Sequence, residues 1–289
     1  MIKKIITHPG GAHKDEFLAC CVLLANDSVS ILRQEATDQD LSDPQVVVVD
    51  VGHRHEPQLN NFDHHQFPRD AEPTCSLSLV LSKLGIYEDA RSFCPWLEVA
   101  EWFDCRGPND TAEWLGLDRE VVGKLNSPID ITILQGFAKQ MEHNPGEPIW
   151  EVMQMIGKEL VEYITGLRGR IDEVSKIEEV WDLKHGDEEF KVIFAPRTDP
   201  SIEEVSGALG WRVKELGLED EVYVMVYPDG RGQGYGMKRF NDREEVDFSR
   251  IEKESDVRFA HARGFIAKVE AVGFDRLKEL IMKSIVKNN

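Results

Sequence analysis

No stretch of this sequence is apolar for long enough to cross a membrane, so no membrane partner is expected. The apolar part of Met1-Ile2-Lys3-Lys4-Ile5-Ile6 is too short for a secretory signal. Cysteine is sparse. The five present are an odd number and form no Cys-x-x-Cys pair, which argues against a disulfide framework and for reduced thiols in the cytoplasm. Cys20 and Cys21 lie in an apolar helical stretch and read as core. Positive charge is also short. Lys and Arg number 34 against 53 Asp and Glu, a net charge of −19. Such a chain is a poor general binder of long duplex nucleic acid, whose affinity comes from phosphate neutralisation. A short phosphorylated ligand is still open to it if cations or a local basic cluster supply the charge. There is no internal repeat and no low-complexity tract.

What is present reads as two α/β domains. Lys3 to Thr7 is a short strand that runs into His8-Pro9-Gly10-Gly11-Ala12-His13-Lys14-Asp15-Glu16, where Pro and two Gly allow a tight loop. Asp15 then opens an apolar helix from Phe17 to Ala25, as its cap or first-turn acid. Val29 to Leu32 is a second strand. Val46 to Val49 is a continuous β-branched run of the kind buried on both faces, and it ends in Asp50-Val51-Gly52. An acid at the carboxyl end of such a strand is costly unless something binds it. Helices are expected over Ser76 to Leu84, Pro95 to Phe103, Ile129 to His143 and Ile149 to Trp181. The Pro95 helix ends at a stop signal, Asp104-Cys105-Arg106-Gly107-Pro108, with an acid at its tip. The Ile149 helix reads as a connector more than a core helix. His185-Gly186-Asp187 is the expected boundary, giving a parallel-sheet domain over 1–147, a long connecting helix over 148–186 and a smaller α/β domain over 187–289. The last is expected to hold strands over Phe190–Phe194, Val222–Tyr227, Gln233–Arg239 and Phe265–Val269, and helices over Ile202–Leu216 and Phe274–Ile285.

The chemistry centres on Phe62-Asp63-His64-His65-Gln66. One carboxylate and two adjacent imidazoles suit Mn, Zn or Fe(II). Other segments of the first domain end in the same ligand types: His8, His13 and Asp15; Asp50; Asp104. In an open parallel sheet, strand ends and the loops after them lie along one edge. Each residue alone has a bland account. His8 and His13 could bond to loop backbone, Asp15 could cap its helix, Asp50 could pair with Arg54, and Asp104 with Arg106. Taken together they predict two divalent cations, since one would need only three or four ligands. Asp50, at the end of the most buried strand, is the expected bridge. It would hold the cations roughly 3.5–4 Å apart, able to generate hydroxide at neutral pH.

These motifs resemble the DHH phosphoesterase superfamily, and within it the Myg-type (melanocyte proliferating gene 1-like) metal-dependent hydrolases, an exonuclease-like group. The resemblance rests on Thr7 to Glu16, Val49-Asp50-Val51-Gly52 and Phe62 to Gln66, with Phe259-Ala260-His261-Ala262-Arg263-Gly264-Phe265-Ile266 as a weaker fourth segment. It implies two Mn-type ions, with Zn, Fe or Mg as alternatives. His8, His13 and Asp50 would hold one, and Asp15, Asp50, His64 and Asp104 the other. His65 would face the substrate phosphate, and Asp63 would orient a neighbouring imidazole. Asp50, His65 and Asp63 are thus the expected catalytic set. Many superfamily members carry Asp where this chain has His13, which makes the site softer and the metal less certain. The superfamily's second domain closes over the site and binds phosphate. Here His261, Arg263, Lys238 and Arg239 would serve, although the last two read almost as well as a solvated strand end.

The resulting expectation is a phosphoesterase that cleaves phosphodiester bonds of short single-stranded oligonucleotides or a small phosphoester, with a homodimer left open. An inorganic pyrophosphatase is the weaker variant, because the basic cluster it would want is thin. A binding or regulatory module without turnover is the other alternative, and the intact ligand set argues against it.

Overall fold

Four consecutive valines set the centre of the first sheet in the computed structural model, which describes residues 1–124, 127–270 and 273–286. The chain runs β1 (Lys4–Thr7), α1 (Lys14–Leu24), β2 (Ser30–Arg33), α2 (Asp38–Ser42), β3 (Val46–Val49), β4 (His55–Glu56) and β5 (Asn61–Phe62). It continues through α3 (Ser76–Lys83), α4 (Tyr87–Phe93), α5 (Trp96–Trp114), α6 (Arg119–Lys124), α7 (Pro128–Ala138), β6 (Glu142–His143) and α8 (Pro148–Val174). The strand order is β4-β5-β3-β1-β2-β6. The four inner strands are mutually parallel, and the two edge strands run antiparallel to their neighbours. All four valines of β3 are buried, as are Ile5 and Ile6 of β1, which fits strands covered on both faces. The carboxyl ends of β1, β3 and β5 therefore come out side by side, carrying His8, Asp50 and Asp63 to one edge.

Two compact units divide at Thr165/Gly166, inside α8. The second holds β7 (Glu179–His185), β8 (Glu188–Phe194), α9 (Val205–Glu215), β9 (Val222–Pro228), β10 (Tyr235–Arg239), β11 (Val257–Ala260), β12 (Ile266–Val269) and α10 (Phe274–Ser284). Its sheet order is β11-β12-β10-β9-β8-β7, with only β8 and β9 parallel among the described pairs. Leu277, Leu280 and Ile281 of α10 share one core with Val192, Val224, Val226, Met237 and Val269 from the strands.

The helices differ from the sequence expectation in ways that have causes. The helix expected to reach His143 ends at Ala138, and Glu142–His143 pairs with β2, whose edge backbone groups need partners. The helix expected to reach Trp181 ends at Val174, because Trp181 satisfies a period of two as well as of four. Trp181 is buried as the inward residue of β7, and His185-Gly186-Asp187 is the hairpin turn to β8, with Gly186 at φ 66°. Nor is α8 only a connector. Trp150 and Met153 are buried in the first unit, and Trp150 Nε1 donates to Val29 O at 2.8 Å. The stop signal at Gly107 is real as a break: Gly107 sits at φ 75°, ψ 175°, and the helix resumes at Pro108, a residue suited to a first helical turn.

Candidate metal centre

The loop after β1 is held by a residue whose role the sequence hides. Arg33, the last residue of β2, is fully buried. Its guanidinium donates to Gly10 O at 3.1 Å and Gly11 O at 3.2 Å, and lies 3.5 Å from Glu16 Oε1. That fixes the course of the loop between His8 and His13. His13, not Asp15, is the cap of α1, and Glu16 in the first turn accepts from the His13 backbone N–H at 2.6 Å. Asp15 is left free to face the sheet edge, where it is buried. Asp50 leaves β3 at φ 59°, a left-handed conformation that turns its carboxylate off the strand direction.

Among the described residues, the carboxylate of Asp50 is shared by three ligand groups, the smallest being Asp50, His64 and His65, with His65 Nδ1 3.7 Å from Asp50 Oδ1; the other two are larger. His8, His13, Glu16 and Asp50 form one, and Asp15, Asp50, His64 and Asp104 the other; in each, the ligand atoms lie within 4.8 Å of one another. Asp50 Oδ2 is 3.5 Å from His8 Nε2, and Oδ1 is 3.2 Å from His64 Nε2. His8 Nε2 is also 3.2 Å from Glu16 Oε1. Asp104 Oδ2 lies 2.7 Å from His64 Nε2, and its Oδ1 is 3.9 Å from His13 Nδ1. All six residues expected to hold metal therefore converge. His13 is the outlier, with 62% of its side chain exposed. Asp63 accepts from the His65 backbone N–H at 2.9 Å and sits 2.7 Å from His65 Nδ1, so it fixes that ring. Neither proposed alternative pair forms: Arg54 meets Asp38, and Arg106 donates to Ala71 O.

Several of these atoms are buried without a hydrogen bond. They are His8 Nε2, Asp15 Oδ1, His64 Nε2 and Asp104 Oδ2. The last two approach to 2.7 Å without the angle of a hydrogen bond. A divalent cation satisfies such a set, and nothing neutral does so as well. Without a cation, the cluster must hold protons instead. Burial, together with repulsion from Asp50 and Asp104, pushes the Asp15 carboxyl well up. Burial also raises Glu16, against the pull of His8. The Glu16 carboxylate pushes the His8 imidazole up to about 9. Burial alone would lower His64, but the Asp104 and Asp50 carboxylates override it and push the ring up to about 12.

A pH dependence follows. A group whose folded pKa is raised adds stability that is lost as pH climbs through the raised value. For His8 that stability is full below its ordinary 6.5 and gone above about 9. Asp15, Glu16 and His64 shift in the same direction. Chelator-treated protein should thus melt at falling temperature from pH 6.5 to 9. Mn-loaded protein should not, since the cation replaces those protons and its affinity rises with pH. A chelated protein whose melting is flat over that window would show that His8 carries no such proton.

Four contributors escaped the sequence reading. Glu16 stands at the position of a first-turn acid, and its inward turn shows only in three dimensions. Arg33 follows the apolar strand run by one residue. Ser76, at the start of α3, donates to Asp50 Oδ1 at 2.9 Å. Cys105 Sγ lies 3.7 Å from His64 Nδ1 and donates to Thr74 O at 3.1 Å. The spacing His13-x-x-Glu16 was the one usable signal. The remaining expected residues lie in the second unit. There Arg239 Nε meets Asp242 Oδ1 at 3.2 Å, Lys238 is exposed, and His261 Nδ1 accepts from the Arg263 N–H at 3.1 Å.

Among solved structures, the chain is similar to a pGpG-specific phosphodiesterase, PggH, of Vibrio cholerae, at 12% identity and TM-score 0.30 over 97% of each chain. It is also similar to RecJ of Thermus thermophilus in complex with Mn2+, at 13% identity and TM-score 0.29 over 97% of this chain and 51% of RecJ. The RecJ complex with Mg2+ gives 15% and 0.30 over 97% and 49%. The chain thus spans about half the length of RecJ. No curated protein matches. Residues 4–85, which hold the His-Pro-Gly-Gly loop, the valine strand and the Asp-His-His segment, match the model of the MYG1_exonuc family, described as "Uncharacterised protein family (UPF0160)".

Proposed function

We propose that the protein is a metal-dependent phosphodiesterase that cleaves short single-stranded oligonucleotides in the manner of an exonuclease. The observation that carries this reading is the divided carboxylate of Asp50, one oxygen toward His8 and the other toward His64, joining two ligand groups. His8, His13 and Asp50 would hold one cation, with Glu16 beside them. Asp15, Asp50, His64 and Asp104 would hold the other. The mixed nitrogen and oxygen donors suit Mn ahead of Mg. When bound, the cations supply Lewis acidity to the phosphoryl oxygens and water of lowered pKa.

The chain's own residues do the rest. Asp63 accepts from His65 Nδ1–H, which leaves Nε2 as the ring atom for substrate; in the imidazolium form that atom carries an N–H for a phosphate oxygen. His65 is half exposed, as a group that meets substrate must be. Ser76 Oγ–H and the Cys105 contact to His64 Nδ1 hold two of the ligands from behind.

The first test is release of p-nitrophenol from the p-nitrophenyl ester of thymidine monophosphate with Mn, Mg or Zn. No release with any of them overturns the reading. His65→Ala should keep its metal content and lose about 10²–10³-fold in turnover, the usual cost of one donor to developing charge. Loss of metal in that variant, measured by elemental analysis, would move His65 into the ligand set.

A further inference from the structure

A cavity of about 170 Å3 opens on the metal-ligand cluster. His64, His65 and Asp104 form its near wall, and the loop 67–74 with Arg106 forms the far one. Two arginines stand in that far wall, Arg69 and Arg106. Neither makes an ion pair among the described residues. In the same unit Lys3, Lys4, Lys14, Arg33, Arg54 and Arg91 are each matched to a carboxylate, while Lys83, Arg119, Lys124, Lys139 and Lys158, which also have no ion pair among the described residues, do not line this cavity. Glu72 also lines the cavity, but Arg91 Nη1 holds it at 2.8 Å, so it does not cancel the two charges. In a chain of net charge −19, uncompensated guanidinium groups beside a cluster of acids are placed for an anion.

The size narrows what the anion is. The volume is close to that of a cavity that takes one benzene ring, about 150 Å3, too small for a whole nucleotide. Arg106 is pre-set for the task. Its Nη2 is tied to Ala71 O at 2.5 Å, which fixes the guanidinium plane and leaves the other N–H donors for a bidentate partner. We propose that this cavity is a subsite for a second phosphate of the substrate, one that is bound and not cleaved, gripped by Arg69 and Arg106. The proposal rests on the reading of the adjacent cluster as the cleavage centre, because that is what makes this phosphate the second one.

The competing account of Arg106 is a helix-end cation that only offsets the dipole before the Gly107 break. Binding separates the two. Thymidine bisphosphate, phosphorylated on both hydroxyls, is titrated against thymidine monophosphate on the Mn-loaded chain. The bisphosphate should bind about tenfold or more tightly, the weight of one added set of charge-assisted hydrogen bonds. Arg69→Ala and Arg106→Gln should each pull that ratio toward one, and Arg106→Lys should restore only part of it. Arg69 is exposed and makes no ion pair among the described residues, so its variant should melt like wild type and keep the test clean if Arg106→Gln folds poorly. A wild-type ratio near one, or a ratio unchanged in both variants, overturns the subsite. A normal ratio in a protein that cleaves no dinucleotide keeps the subsite and overturns the cleavage reading instead.

Discussion

Asp50→Asn should cost more than about 10³-fold in Mn-dependent phosphodiester cleavage and leave the fold in place. The carboxylate has two jobs that an amide cannot share. Oδ2 faces His8 at 3.5 Å and Oδ1 faces His64 at 3.2 Å. In the variant, one of those positions becomes an N–H2 that donates and does not ligate, and the negative charge common to both groups is gone. The backbone has no reason to object, because Asp50 sits at φ 59° and Asn is among the side chains most at ease there. The cation-free variant should nevertheless melt slightly lower than wild type. Burial raises the Asp50 carboxyl, but the His64 imidazole beside it and the hydrogen bond from Ser76 outweigh burial and hold it below its ordinary value, so the charge is a stabilising one. Metal content by elemental analysis, melting temperature and p-nitrophenol release would be compared. A variant with two metals per chain and the wild-type rate would remove the hydrolytic mechanism and favour a binding module.

The site was legible wherever chemistry restricts residue type. Few folds place His8, Asp50 and His64 at three strand ends by accident, and a valine run ending in an acid marks both the sheet centre and its functional edge. The parts that stayed hidden have residue types with a commoner use. Glu16 looks like any acid in a first helical turn. Arg33 looks like a strand-end surface charge, and only the fold shows it wholly buried between the Gly10-Gly11 backbone and Glu16. Ser76 is an ordinary start to a helix until Asp50 is found 2.9 Å away. The same limit applied to the fold. Trp181 fitted a helical period and a strand period equally, and the choice was made by pairing with β8, which periodicity cannot see. Arg106 stood in the sequence as a partner for Asp104, and only the fold shows it bound to Ala71 O instead.

Gly157→Ala should be the most damaging single change to the first unit. Within an ordinary helix, Ala in place of Gly gains about 1 kcal/mol by propensity. At this position sterics decide otherwise. A Cβ on Gly157 would sit 1.8 Å from Cys21 O and 2.4 Å from its carbonyl carbon, both backbone atoms of α1 that cannot rotate aside. The helices would have to part by more than an ångström, and α8 is tied to α1 by Gln154 Nε2, which donates to Leu24 O at 3.3 Å. Separating packed helices forfeits dispersion contacts along the whole seam. The net effect is expected at about 3–5 kcal/mol of destabilisation, at the severe end for one methyl group. For a unit of this size that lowers the melting temperature by roughly 10 °C. The control lies in the same helix. A Cβ on Gly169 meets nothing within 4 Å, so Gly169→Ala should hold or raise the melting temperature. The first strand-to-helix unit, which carries His8, His13, Asp15 and Glu16, is built on α1, so the damaged variant should lose Mn affinity as well as stability. If Gly157→Ala melts at or above wild type, α1 and α8 do not make the backbone contact described, and the seat of the metal-binding loop is looser than drawn.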